Sequence, residues 1–235
     1  MFDFVFFMSF TEFIKELNGK RVEGELVKTL LYSLLISFLF LGLLYFFRFR
    51  KIENFIPQYG LSLLFVTLSY ALIVPTMRQV RAYREMPCMS GMMVGMTSGM
   101  VAGFLPGFYV ASTNGMFIGG FFGVALGIIL GIWNGKCCGI MGFMEGIMAG
   151  FMGGLMGAMT AFMLLNDNLK IAAVIVFVIN AIIIIALNYM VYREMKETEK
   201  QLKEDHFFTV VITFILIAIT TWLILFGPRS ALFGG

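Results

Sequence analysis

Seven methionines, Met141, Met144, Met148, Met152, Met156, Met159 and Met163, recur along one stretch of the chain. Six steps cover 22 residues, a mean of 3.67, so on a helix of 3.6 residues per turn they share one face. Met89, Met92, Met93, Met96 and Met100 form a second run with nearly the same period. A thioether is neutral and soft. It takes Cu(I) or Ag(I) and is a poor ligand for hard ions. Ligands one helical pitch apart, about 5–6 Å, can pass a soft monovalent cation along without trapping it, which is what conduction requires. Thiols extend the set: Cys88 precedes one run, and Cys137 and Cys138 precede the other. The candidate metal ligands are therefore Met92, Met96, Met100, Met148, Met152 and Met156, with Cys88, Cys137 and Cys138. Met86 and Met89 join the three thiols in a candidate sulfur collar at one mouth. Methionine is also a flexible gap-filler, so packing of these side chains into a glycine-lined groove is the rival reading.

Glycine supplies such a groove. Nineteen of the 26 glycines and fourteen of the 19 methionines fall between Met86 and Met163. Gly91, Gly95, Gly99, Gly103 and Gly107 are spaced by four, as are Gly115, Gly119, Gly123, Gly127, Gly131 and Gly135, and then Gly142, Gly146, Gly150 and Gly154. In lipid, helices gain nothing from burying apolar surface against one another, and close backbone contact across GxxxG supplies the attraction. Gly91, Gly95, Gly99, Gly119, Gly123, Gly127, Gly146 and Gly150 are the expected packing positions. The segment from Met89 also aligns with that from Met144 at an offset of 55, as either a small duplicated unit or convergent patterning.

The rest of the chain explains why a bilayer is the setting. Hydrophobic residues make up 60% and charged residues 13% of the 235, against about 45–50% and 25% in soluble proteins. Too few polar groups remain to cover a soluble surface. That excludes an ordinary cytosolic enzyme, a disordered chain and a nucleic-acid binder. Seven stretches are long enough to cross a bilayer, at roughly 28–47, 57–77, 89–110, 115–135, 139–165, 171–192 and 207–227. The expected fold class is an all-α polytopic membrane protein of about seven transmembrane helices. Its parts are an N-terminal interfacial helix and linker (1–27), two spans (28–85), a Gly/Met-rich three-helix core (86–166), two spans with a charged loop (167–227) and a tail (228–235). Within 86–163 the only charges are Lys136 and Glu145. A carboxylate inside a span is a functional candidate, so Glu145 is a candidate polar gate, or else a partner for Lys136.

Basic residues set the expected orientation. Twelve of the 17 lysines and arginines fall on the side of the N-terminus and five on the other, so the N-terminus is expected in the cytoplasm and the C-terminus outside, in the plasma membrane. That assigns all three cysteines to the reducing side, where thiols persist. One histidine cannot build a haem or zinc site alone, and no nucleophile–base pair, P-loop or HExxH motif is present. An enzyme is not expected.

MxxxM beside GxxxG, here Met92 to Met96 and Gly115 to Gly119, resembles the Ctr-type copper transporters. The resemblance covers about a fifth of the chain and implies a methionine pair lining a Cu(I) path at a symmetric trimer axis. Those transporters have three spans and a methionine-rich outer arm, against seven spans and no such arm here. Two functions are carried forward. One is a channel or carrier for a soft monovalent metal, above all Cu(I), with no tightly bound cofactor. Its partners would be the lipid bilayer, other copies in a homo-oligomer and a cytoplasmic metal donor or acceptor, with no nucleic acid. The other is a non-transporting structural subunit packed by glycine zippers.

Overall fold

A computed structural model describes residues 22–47, 60–82, 86–136, 139–165, 168–195 and 206–227. Among these the chain forms seven helices and no strand: α1 (Val22–Phe47), α2 (Leu61–Arg81), α3 (Cys88–Asn114), α4 (Met116–Gly135), α5 (Gly139–Met163), α6 (Leu169–Met195) and α7 (His206–Phe226). The first six are long and apolar enough to cross a membrane, and α7 contributes a shorter apolar stretch, Val210–Phe226. Helices are what a bilayer demands, because backbone groups in hydrocarbon must bond within their own segment. The expected interfacial helix near the N-terminus, the 193–205 loop beyond Met195 and the tail lie outside the described residues.

Several boundaries differ from the sequence reading. Helix α1 begins at Val22 and not at 28. Helix α2 runs on to Arg81, because Ile73, Met77 and Val80 continue its buried apolar face past residue 77. The link between α3 and α4 is not residues 111–114, which complete α3, but Gly115 alone. Its φ of 106° lies in the left-handed half of backbone space, where glycine has no Cβ to clash. Gly115 is thus a turn residue and not the first rung of the α4 ladder.

Helix α3 stands in the middle. On one side it packs against α4 and α5, and on the other against α2, α6 and α7, while α1 closes over α2 and α7. The two sides are built differently. Toward α2 and α7, α3 presents Val101, Leu105, Phe108 and Tyr109, all fully or almost fully buried with Tyr70, Val66 and Ile217. Phe65 stacks on Tyr109 at 6.0 Å between ring centroids. Toward α4 and α5 it presents glycine.

Those glycines meet in layers. Gly95, Gly135 and Gly142 form one, Gly99, Gly131 and Gly146 the next, then Gly103, Gly127 and Gly150, then Gly107, Gly123 and Gly154. A Cβ added to Gly103 would lie 2.9 Å from the Gly150 carbonyl oxygen, and one added to Gly99 would lie 3.0 Å from that of Gly146. Ala111 against Gly119 continues the series, with Ala158 beside Gly120. Four residues rise about 6 Å, so the four glycine layers cover about 18 Å of a hydrocarbon core about 30 Å thick. A period of four, longer than 3.6, winds the three helices round each other in the right-handed sense. Each α3 glycine meets the α5 glycine 47 residues later, not 55. The sequence match and the spatial register therefore differ by eight residues, slightly over two turns.

Candidate functional site

Every fully buried residue of α5 is glycine or alanine: Gly142, Gly146, Ala149, Gly150, Gly153, Gly154, Gly157, Ala158 and Ala161. Nothing larger fits where three backbones touch. The methionines are consequently driven to the opposite side of the helix. Met148 is 60% exposed and Met152 57%, and Met141, Met144, Met156, Met159 and Met163 are exposed as well. From Met141 to Met163 the helix rises about 33 Å, close to the full hydrocarbon thickness. The thioethers do not fill the glycine groove, which is already occupied by backbone.

The α3 run behaves similarly. Met89, Met93, Met96 and Met100 are exposed, and Met92 is half-buried. Gly153 of α5 rests on the backbone of Met100 and Gly157 on that of Phe104. The α3 methionines therefore border the α3–α5 seam, while those of α5 stand on the far side of its cylinder. Both runs lie on the outer surface of the chain. They do not face each other across an interior gap, and the axis of the three-helix core holds glycine and alanine with no sulfur. The reason is the four-residue glycine period, which claims the whole inner face of α5.

Of the candidate collar, Cys88 is a free thiol exposed at the start of α3. Cys137 and Cys138 lie outside the described residues. Met86 takes no part, because it is buried against Val80, Val94, Val191 and Met195. Glu145 is half-buried and sits within the α5 stripe between Met141 and Met148. Among the described residues no three of His, Cys, Asp and Glu come together as a metal site. The soft donors gathered on one surface are thioethers.

Gly95, Gly99, Gly119, Gly123, Gly127, Gly146 and Gly150 all make backbone contacts between helices, and Gly91 is buried at the start of α3. Asn114 and Asn180, both buried, bond differently. Asn114 donates from Nδ2 to the Leu223 carbonyl of α7 at 2.7 Å, and Asn180 bonds back to Val176 on its own helix.

A polar junction was not anticipated. Arg78 is buried and donates from Nη1 to Thr29 Oγ1 of α1 at 3.0 Å. Gln79 is fully buried and donates to the Asn188 carbonyl of α6 at 3.2 Å. The Arg81 guanidinium lies over the Trp133 ring of α4, 5.4 Å from its centroid, a favourable cation–π arrangement. These residues looked like loop because charge usually ends a span. The continuing three- and four-residue spacing of Tyr70, Ile73, Met77 and Val80 was the available signal. No known protein family, characterised protein or solved structure matches this chain.

Proposed function

We propose that the protein is a membrane channel or carrier for a soft monovalent metal ion, above all Cu(I), moving along the methionine face of α5. One observation carries the reading: a thioether ladder about as long as the membrane is thick stands on a surface that the chain's own packing does not use. Gap-filling is the ordinary duty of methionine, and here the gap is already filled by glycine backbone. Met92, Met96 and Met100 flank the ladder, and Glu145 is the candidate polar gate within it. In this reading the N-terminus is cytoplasmic, the C-terminus outside and the membrane the plasma membrane. Cys88, Cys137 and Cys138 receive metal from, or yield it to, a cytoplasmic carrier. The ligand logic is that of the Ctr-type transporters, on a different arrangement of spans.

Purified protein titrated with Cu(I), Ag(I) and Zn(II) tests this. Cu(I) and Ag(I) should bind and Zn(II) should not. Met148→Leu with Met152→Leu keeps volume and apolarity but removes two sulfurs, and should weaken Cu(I) binding about tenfold or more while leaving the fold intact. A variant that binds Cu(I) like the wild type sinks the metal reading. The alternative, a non-transporting structural subunit, is favoured by the continuous glycine layers, which leave no opening along the three-helix axis.

A further inference from the structure

The exposed apolar side chains of the molecule are of two chemical kinds. Ile171, Ile175 and Ile182 on α6 and Leu31, Leu35 and Leu39 on α1 offer the bilayer saturated hydrocarbon, which has no lone pair to give. Among the described residues twelve methionines are exposed: all seven of α5, Met89, Met93, Met96 and Met100 of α3, and Met116 of α4. A thioether is oxidised to the sulfoxide, a reversible modification that turns a flexible apolar group into a polar one. Phe151 and Leu155 share the α5 face, so its reactive groups are discrete rungs. Met77, Met86 and Met195 are buried, which supplies a comparison within one chain.

Depth decides which oxidant arrives. The α5 run rises about 33 Å, close to a hydrocarbon thickness of about 30 Å. Its middle rungs, Met148, Met152 and Met156, therefore stand farthest from water and among acyl chains. Unsaturated acyl chains are where lipid hydroperoxides form, and a hydroperoxide carried on such a chain reaches the rungs by lateral diffusion.

We infer that the α5 methionine face is a modification site for lipid hydroperoxides, reducing them to lipid alcohols as its thioethers become sulfoxides. The sulfur lone pair attacks the terminal peroxide oxygen, the O–O bond breaks and that oxygen stays on sulfur. Its proton passes to the departing lipid alkoxide, which leaves as the alcohol. Sulfur gives up two electrons and the peroxide takes two, so the step is complete with these two reactants. Each rung reacts once, and the product sets a polar group on a face turned to hydrocarbon. The inference rests on exposure and sulfur chemistry, and it holds whether or not the ladder carries Cu(I).

The test uses the full chain in vesicles of phosphatidylcholine and a phosphatidylcholine hydroperoxide, with a chelator present to exclude trace metal. Met148 is 60% exposed and Met77 3%. Peptide mass spectrometry should show oxygen gained at Met148, Met152 and Met156 about tenfold faster or more than at Met77, Met86 and Met195, with one lipid alcohol formed per sulfoxide. Equal rates at exposed and buried sites, or sulfoxide without matching alcohol, overturn the inference. A second arm replaces the lipid hydroperoxide with hydrogen peroxide in the water. There the end rungs Met141 and Met163 should outpace Met152, and the same rung order in both arms overturns the assignment to lipid. Met148→Leu, Met152→Leu and Met156→Leu together remove three of the twelve exposed thioethers. That variant should lower the final yield of lipid alcohol by about a quarter, and Met77→Leu should leave it unchanged. An unchanged yield from the triple variant overturns the inference, and the site-by-site rates in the wild type decide should that variant fail to fold.

Discussion

Helices α3, α4 and α5 are held together by backbone touching backbone, whereas α1, α2, α6 and α7 are held by side chains. In the first region the contacts repeat every four residues and involve almost no polar group. In the second, large buried residues such as Tyr70, Phe108 and Tyr109 interlock, and single hydrogen bonds cross between helices: Tyr70 to Thr220 at 2.6 Å, Arg78 to Thr29, and Asn114 to Leu223. Both are answers to the same difficulty, that lipid gives apolar helices no reason to associate. The difference lies in how each fails. A side-chain interface can lose one contact and relax around it. A backbone interface has no rotamers with which to relax.

The sharpest way to break the contrast is a large side chain in the glycine layers. Gly123→Leu or Gly127→Leu would push into the Gly103, Gly107, Gly150 and Gly154 backbones. Overpacking costs about 1–3 kcal/mol even where side chains can yield, and here the obstructing atoms cannot move. Thermal unfolding should show loss of the native state or a large drop in Tm, and an unchanged Tm would refute the layered packing. A gentler pair follows. Gly150→Ala places a methyl against the Gly127 and Ile128 backbone, while Gly42→Ala meets nothing within 4 Å. The first should destabilise. The second should be neutral or gain up to about 1 kcal/mol of helix propensity, and equal effects at both sites would erase the distinction between the regions.

On the flanking side, Tyr70→Phe removes the hydroxyl shared with Thr220 and leaves the ring in place. The expected loss is about 0.6 kcal/mol, the average for hydrogen bonds between membrane helices, read as a small Tm shift with α3–α5 still resistant to proteolysis. Met148→Leu with Met152→Leu should leave Tm almost unchanged, because both side chains are exposed and leucine keeps their volume and apolarity, although its effect on Cu(I) binding should be the largest of all.

Periodic features were legible before any coordinates. The methionine face and the glycine ladders follow from spacing, since a helix converts regular spacing into a shared side. That the two occupy opposite sides of α5 also follows from that arithmetic, yet a pairing of methionine with glycine groove was equally natural until the three-way glycine contacts left no groove. The register was not legible. Matching like residues gives an offset of 55, whereas contact register depends on turn length, which gives 47. Met86 reads as a mouth ligand beside Cys88 but is buried, because it meets Val191 and Met195 from a helix a hundred residues away. Arg78 and Gln79 read as loop because their hydrogen-bond partners, Thr29 and Asn188, lie on other helices.

A ladder with equal rungs is a ruler without a zero mark. Slide one helix by four residues, about 6 Å, and glycine again faces glycine at nearly every rung. Something else must choose among the settings. For α4 the choice is made at Gly115, whose single-residue turn leaves no slack against α3, and Ala111 opposite Gly119 acts as an end stop. Helix α5 is tethered to α4 by the longer link of residues 136–138 and packs on glycine ladders from both neighbours. One notch on those ladders is about 6 Å, close to the spacing of successive methionines on the outer face of the same helix.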